Sequence, residues 1–264
     1  MFKYARPILT ICMLLMITGC GQESNSSENE NSSTAAETTP QKTETQLVDH
    51  NIDPEIDIIL GDENAPHEMI VYYSPGCIHC LVLYEKTFRK IKELYIDQGK
   101  LRYVMREIPA ILPFKKDEDG GMTEYQNAIK NSTLMAINLR CSDYFSEDPT
   151  TYFNALDTAV KAVAQGVRFS KNTNWPYFNE KGIETVFFHL GRYGTLNQEQ
   201  YQECVQDPLK KKFIDIFTRN GDFMANNLNV KSLPAYYLDG EHIDFEGAAN
   251  LEALLMQTLQ EKMN

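Results

Sequence analysis

A pair of cysteines lies where a predicted strand turns into a predicted helix. Residues 69–73 are apolar, β-branched and aromatic, which is typical of a buried strand. Apolar side chains then recur at spacings of three and four over 81–95, which predicts an amphipathic helix. Between these elements lie Cys77 and Cys80, and two cysteines this close can form a disulfide only in a tight turn. The fold must therefore place two thiols at the junction of a strand and a helix.

The predicted position of Cys77, at the N-terminus of the helix, favours a thiolate. Unpaired backbone N–H groups and the helix dipole stabilise an anion there, which lowers the pKa of the thiol. His79 lies between the two cysteines and can stabilise the thiolate further. A stabilised thiolate stabilises the reduced form, so the disulfide becomes a strong oxidant. Cys80, one helical turn later, is expected to be less exposed and suited to resolving a mixed disulfide.

Two other functions of the cysteine pair have to be considered. A Cys-x-x-Cys motif is half of many zinc sites, but the sequence contains neither a second such motif nor a His-x-x-x-His motif. A purely structural disulfide across so short a loop gains little chain entropy and strains easily. The sequence therefore favours a redox-active pair and predicts no metal site.

The remaining pattern predicts an α/β fold. Alternating residues over 101–108 predict a second strand, so strand, helix and strand form a parallel pair with a crossover. Four predicted helices follow, over 131–140, 149–165, 198–206 and 209–226. Two short strand patterns then flank Asp239-Gly240, the strongest short hairpin signal, and a last helix covers 251–263. The predicted order is βαβ, a helical insertion, then ββα.

The N-terminus has the pattern of an export signal. Two basic residues precede an apolar run at 8–17, which is too short for a mature membrane-spanning helix. The sequence Ile-Thr-Gly-Cys, which ends at Cys20, resembles a bacterial lipobox; an ordinary cleaved signal peptide is the alternative. We expect a lipoprotein signal peptide at 1–19, a lipid on Cys20, and a disordered polar linker over the rest of 20–55. This predicts a lipid-anchored protein of the bacterial cell envelope that faces the periplasm, on the outer or inner membrane.

Several stretches resemble, in family order, the DsbA-like branch of the thioredoxin superfamily. Residues 61–66 resemble the entry into the strand before the active site, and Cys77 to Cys80 resemble the active site with its histidine before the second cysteine. Residues 100–109 resemble the following strand, and 232–235 resemble a loop that holds a cis-proline. The resemblance implies a thioredoxin-like fold, βαβ followed by ββα, with an inserted helical domain.

The domain limits and the activity follow from the same resemblance. It implies a DsbA-like domain at 56–262 with the helical insertion at about 120–227. It also implies a protein thiol:disulfide oxidoreductase that introduces disulfides into exported proteins through Cys77 and Cys80, with His79 in the active site. No bound cofactor is required.

The resemblance also assigns a substrate-binding loop, and two departures from the family stand out. Leu233 and Pro234 are implied to hold a cis bond against the dithiol, where the backbone pairs with an extended substrate segment. Many relatives carry a buried acid six residues before the first cysteine, where this chain has Val71. The best-known oxidases have proline where this chain has Ile78, and such loop residues tune the reduction potential.

Cys141 and Cys204 lie in the predicted helical insertion. Some family members carry cysteines at similar places, and an even count in an exported protein favours a structural disulfide. Two buried free thiols, which pack as small hydrophobic groups, are the alternative.

The predicted partners follow from the net charge and from the resemblance. A formal net charge of −12 argues against nucleic acid, whose binding depends on neutralising phosphates. The resemblance implies exported proteins with cysteine thiols as substrates, a DsbB-like quinone-linked membrane oxidase as the reoxidant, and attachment to the membrane by lipid. The alternatives are a disulfide isomerase or reductase, or a non-catalytic module that handles copper through the same thiols.

Overall fold

The computed structural model describes residues 47–109, 121–169, 196–228, 230 and 232–263, with the side chains of the second range described over 132–161. The predicted signal peptide, Cys20 and most of the predicted linker lie outside these residues. Within the described part of the chain, no helix has the length and apolar character needed to cross a membrane.

Five strands form one mixed sheet in the order β1-β3-β2-β4-β5. The strands are β1 (Ile58–Leu60), β2 (His67–Tyr73), β3 (Leu101–Glu107), β4 (Ala235–Leu238) and β5 (Glu241–Ile243). The described helices are α1 (Ile78–Ile91), which continues into a π-helical turn (Lys92–Ile96), α2 (Gly121–Tyr144), α3 (Thr151–Phe169), α4 (Gln198–Cys204), α5 (Leu209–Asn227) and α6 (Leu251–Met263). The predicted fold class, thioredoxin-like with a helical insertion, is confirmed.

The central strand β2 runs parallel to β3 and antiparallel to β4, while β1 and β5 pair antiparallel at the two edges. The predicted parallel strand–helix–strand unit is thus confirmed. Met69, Ile70, Val71 and Tyr72 of β2 are all at most 1 % exposed, because helices and loops cover both faces of the strand. Burial on both faces explains why β2 reads as a continuous apolar run rather than an alternating one.

The predicted hairpin joins β4 to β5. Asp239 and Gly240 have φ angles of 52° and 79°, the left-handed conformation that a two-residue hairpin turn requires at both positions. The Asp239 carboxylate accepts a hydrogen bond from the Glu68 backbone N–H at 2.9 Å, which fixes the turn to β2. At Gly240 a side chain would meet the Val48 carbonyl oxygen at 2.8 Å, so glycine is also needed for close approach of the chain.

Aromatic rings fasten α1 to the rest of the domain. Phe88 of α1 stacks on Tyr84 at 4.6 Å and on Phe153 of α3 at 5.0 Å, measured between ring centroids. Tyr103 of β3 meets Phe88 edge-on at 5.5 Å. Offset and edge-on ring pairs of this kind add specific geometry to burial, so the helix that carries the cysteines is fixed in orientation.

The first insertion helix is longer than the sequence pattern predicted. It was expected over 131–140, whereas α2 extends over Gly121–Tyr144. Its buried side chains include Ser132, Asn138, Arg140 and Ser142, all at most 5 % exposed. The buried face of α2 is therefore partly polar.

Cys141 and Cys204 are joined by a disulfide between α2 and α4, with their Cα atoms 6.0 Å apart. Both residues are fully buried. The bond closes a sequence separation of 63 residues and so ties the beginning of the insertion to its later part.

The predicted linker, 20–55, is too long at its C-terminal end. His50 is only 4 % exposed, and its Nδ1 lies 3.0 Å from the Tyr72 hydroxyl. Arg106 donates to the same hydroxyl at 3.0 Å and to Asp57 at 2.8 and 2.7 Å. The sequence composition predicts that this segment is solvated. In the structure it packs on the sheet, because the buried Arg106 binds Asp57 and is linked to His50 through the Tyr72 hydroxyl.

Burial of His50 predicts that the fold loses stability in acid. Burial, and next the positive charge of Arg106, lower the pKa of His50 from 6.5 to about 4. The unfolded chain thus binds this proton more readily, so the stabilisation is complete above about pH 6.5 and is lost as the pH falls towards 4. Because of His50, the free energy of unfolding of the wild-type protein should fall by about 1–2 kcal/mol between pH 7 and 4.5. His50→Phe keeps a ring but removes this titration, so the fall should largely disappear in the variant.

The measurement is the free energy of unfolding in urea at pH 7 and at pH 4.5, for both proteins. At pH 7 the variant should be less stable by about 1 kcal/mol, the hydrogen bond to Tyr72 being lost. An unchanged dependence on pH in the variant would show that His50 does not set it.

Candidate active site

A short turn after β2 delivers Cys77 to the start of α1. The Ser74 carbonyl oxygen accepts the Cys77 backbone N–H at 3.0 Å, and the Ser74 hydroxyl accepts the Gly76 N–H at 3.1 Å. The Ser74 and Ser132 hydroxyls share a further hydrogen bond of 3.2 Å. The active-site turn is thus tied directly to the insertion helix α2.

Cys77 caps the helix with its sulfur. Its backbone is extended, with φ −99° and ψ 116°, and its Sγ accepts the Cys80 backbone N–H at 3.4 Å. The side chain of Cys80, then the backbone N–H groups of Cys80 and His79, donate hydrogen bonds that favour the thiolate. Together they outweigh the opposing effect of burial, and the pKa of Cys77 falls from 9.0 to about 7.

Cys80 has the opposite environment. It is 2 % exposed, and burial raises the pKa of its thiol well above 9.0; its hydrogen bond to Cys77 and the negative charge there act in the same direction. Cys77, by contrast, is partly exposed. At neutral pH one thiol is therefore an accessible nucleophile and the other a buried, protonated group.

His79 affects Cys77 through its backbone rather than its ring. Its side chain is exposed, and the group that contributes to the lowered pKa of Cys77 is the His79 backbone N–H. The sequence pattern predicts that the imidazole stabilises the thiolate, whereas in the structure the main chain of the same residue does so.

The loop before β4 lies against the dithiol. The Leu233–Pro234 bond is cis, and the Cys77 thiol approaches the Leu233 carbonyl oxygen at 3.6 Å, across 156 positions of sequence. Leu233 is buried and Pro234 is partly exposed. The structure therefore brings together the two sequence regions predicted to form the site. Their role in substrate binding stays a prediction.

A buried acid on β3 was not predicted from the sequence. Glu107, at the end of β3, is fully buried, and its carboxylate accepts hydrogen bonds from Arg140 Nε at 2.8 and 2.9 Å. A usable signal was present: positions 101, 103 and 105 form the apolar face of the strand, and position 107 continues that face with an acid. An acid on an inward face is expected to have a buried partner.

Among the residues that the structure describes, no group of three or more His, Cys, Asp or Glu side chains is placed to hold a metal ion.

Comparison with protein families places the chain in a known group. A family model described as "Thioredoxin" matches residues 54–257, which is most of the chain. The chain belongs to this thioredoxin family.

A Rickettsia conorii protein, provisionally named a protein-disulfide oxidoreductase, is 25% identical over 184 residues. The match covers 70% of this chain and 53% of that protein. The chain thus spans about half the length of this curated relative.

Solved structures show the same fold. Wolbachia pipientis α-DsbA1 is 23% identical with a TM-score of 0.52, and the match covers 82% of this chain and 92% of that one. A protein-disulfide isomerase from Novosphingobium aromaticivorans is 15% identical with a TM-score of 0.55, over 79% of this chain and 98% of that one. These similarities support the DsbA-like form of the fold, in which helices are inserted into the thioredoxin core.

The difference in protonation between the two thiols predicts selective alkylation. In the reduced protein, Cys77 should react with iodoacetamide with a rate that rises through a midpoint near pH 7, because the thiolate is the nucleophile. Cys80 should stay unmodified over the same range. Rates are measured by mass spectrometry between pH 5 and 9, with Cys77→Ser as the control for modification elsewhere. A midpoint near 9, or equal labelling of both cysteines, would contradict the predicted environment.

Proposed function

We propose that this protein is a thiol–disulfide oxidoreductase that introduces disulfides into exported proteins. The observation that carries the proposal is the unequal environment of the two thiols at the start of α1. Cys77 is partly exposed with a pKa lowered to about 7, while Cys80 is buried with a raised pKa. The provisional name of the Rickettsia relative points to the same chemistry.

In the proposed reaction the oxidised pair accepts two electrons. A substrate thiolate attacks Cys77 Sγ, the Cys77–Cys80 bond breaks, and Cys80 leaves as a thiolate that takes up a proton. A second substrate thiolate then attacks the substrate sulfur of the mixed disulfide, and Cys77 leaves as a thiolate. The substrate gains a disulfide, and the enzyme is left with two reduced cysteines.

The direction of electron flow follows from the leaving groups. A thiol with a lowered pKa is a good leaving group, so the mixed disulfide on Cys77 breaks readily in favour of the substrate. The hydrogen bonds on the Cys77 sulfur stabilise the reduced enzyme and make its disulfide oxidising. These features favour an oxidase over a reductase.

The substrate segment is proposed to bind beside the cis-proline loop. The Leu233 carbonyl oxygen already lies near Cys77, and Leu233 and Pro234 directly precede β4. An extended peptide that pairs with this backbone would place its cysteine next to Cys77. Recognition through main-chain atoms suits an enzyme with many substrates.

Location and reoxidation complete the proposal. The export signal and lipobox pattern support lipid attachment at Cys20 and a position in the bacterial cell envelope, facing the periplasm. The disulfide between Cys141 and Cys204 is consistent with an oxidising compartment. A DsbB-like quinone-linked membrane oxidase would return Cys77 and Cys80 to the disulfide form.

Oxidative folding of ribonuclease A tests the activity. The oxidised full-length protein, added in excess to reduced, unfolded ribonuclease, should form substrate disulfides at least tenfold faster than air oxidation, because Cys77 is the preferred point of attack. Cys77→Ser should remove the effect entirely. Disulfide formation is followed by loss of free thiols, and folding by recovery of ribonuclease activity. If the protein accelerates the recovery of scrambled ribonuclease but not the oxidation of reduced ribonuclease, it is an isomerase instead.

A further inference from the structure

Ser74 holds the turn that carries Cys77 through two of its own polar groups. Its carbonyl oxygen accepts the Cys77 backbone N–H at 3.0 Å, and its hydroxyl oxygen accepts the Gly76 backbone N–H at 3.1 Å. A serine hydroxyl that accepts the N–H two residues later forms a local turn of its own. Ser74 is only 1 % exposed. The direction in which the chain enters α1 therefore depends on where this buried hydroxyl points.

Ser132 supplies the second partner of the Ser74 hydroxyl. A hydroxyl has one hydrogen to donate and two lone pairs that accept, and one lone pair of Ser74 already accepts the Gly76 N–H. The Ser132 oxygen lies 3.2 Å from the Ser74 oxygen, and either hydroxyl can donate to the other. Both side chains are at most 1 % exposed. Because a buried hydroxyl without a partner is costly, this hydrogen bond fixes the rotamer of Ser74.

Ser132 is itself held at a fixed place in the fold. It belongs to α2, and about two turns further along that helix Arg140 donates to the buried Glu107 carboxylate at 2.8 and 2.9 Å. The next residue, Cys141, is disulfide-bonded to α4. An ion pair with the sheet and a disulfide thus fix the position of α2. The Ser132 hydroxyl therefore acts on Ser74 from a rigid support.

The position of the Cys77 sulfur depends on the same turn. Cys77 Sγ accepts the Cys80 backbone N–H at 3.4 Å, and such a hydrogen bond weakens when its distance or angle changes. The hydrogen bond from the Cys77 N–H to Ser74 places the Cys77 backbone at the N-cap of α1. A loosened turn would let the sulfur move away from the N–H groups of the helix. The thiolate would then lose part of its stabilisation.

We infer that Ser132 of the insertion is a positioning residue for the redox site: its hydroxyl holds Ser74, and through Ser74 it keeps the Cys77 sulfur against the N–H groups of α1. Ser132 acts through another residue rather than on a reacting atom. The inference rests on the dithiol chemistry proposed above. It gives the helical insertion a part in the reactivity of Cys77, in addition to covering the sheet.

Ser132→Ala removes the partner of Ser74, and Ser142→Ala is its matched control. Both serines lie on α2, both are at most 1 % exposed, and each change removes one buried hydroxyl. The Ser142 hydroxyl donates at 3.1 Å to the Asn138 carbonyl oxygen of its own helix. Effects that come only from the packing of α2 should therefore appear in both variants, whereas an effect on the active-site turn should appear only in Ser132→Ala.

The readout is the pH dependence of the alkylation of Cys77 by iodoacetamide, measured on the reduced full-length proteins by mass spectrometry. In Ser132→Ala the midpoint should rise by about half a pH unit, which is an about threefold smaller ratio of thiolate to thiol at a given pH. In Ser142→Ala the midpoint should equal that of the wild-type protein.

Ser74→Ala shows whether the effect passes through Ser74. This variant should raise the midpoint at least as much as Ser132→Ala does, because it also loses the hydrogen bond to the Gly76 N–H. Adding Ser132→Ala to Ser74→Ala should produce no further rise, because the hydrogen bond between the two serines is already absent.

An unchanged midpoint in Ser132→Ala, an equal rise in Ser142→Ala, or additive rises in the double variant would overturn the inference. If Ser132→Ala fails to fold, Ser74→Ala carries the same test against Ser142→Ala, since an unchanged midpoint there would exclude control through the Ser74 hydroxyl. Failure of ribonuclease oxidation with the midpoints as expected would overturn the proposed function alone.

Discussion

The site is built on the unequal stabilisation of two sulfur atoms that lie one helical turn apart. The start of α1 gives Cys77 several donors, whereas Cys80 lies in the core with a raised pKa. A difference of this kind survives only if the helix cannot rotate or shift, since a small displacement would expose Cys80 or remove the N–H groups from Cys77. The aromatic contacts of Phe88 and the hydrogen bond between Ser74 and Ser132 provide that rigidity.

Two buried ion pairs at the end of β3 connect the sheet to the segments packed around it. Arg106 binds Asp57 on one side of the sheet, and Arg140 of the insertion helix binds Glu107 on the other. A buried pair is weak evidence for stability by itself, but removing one partner costs about 3–5 kcal/mol because the other charge stays buried. These pairs therefore fix where the N-terminal segment and the insertion attach, more than they increase the net stability of the fold.

The sequence predicted most elements for reasons that are local. The hairpin at Asp239-Gly240 and the strand–helix junction at Cys77 each have a pattern that one principle explains, and both are present. What it could not predict depends on distant partners. The packing of His50 requires Tyr72 and Arg106. The role of the His79 main chain, likewise, is visible only in the folded turn.

The reduction potential of the Cys77–Cys80 pair tests the central claim most directly. The reduced and oxidised forms are equilibrated against glutathione buffers at pH 7 and separated after alkylation. The hydrogen bonds on the Cys77 sulfur stabilise the reduced form, so we expect a potential near that of DsbA, about −120 mV. A value near that of thioredoxin, about −270 mV, would contradict the account, because it would mean that the donors at the start of α1 do not favour the thiolate enough to make this pair an oxidant.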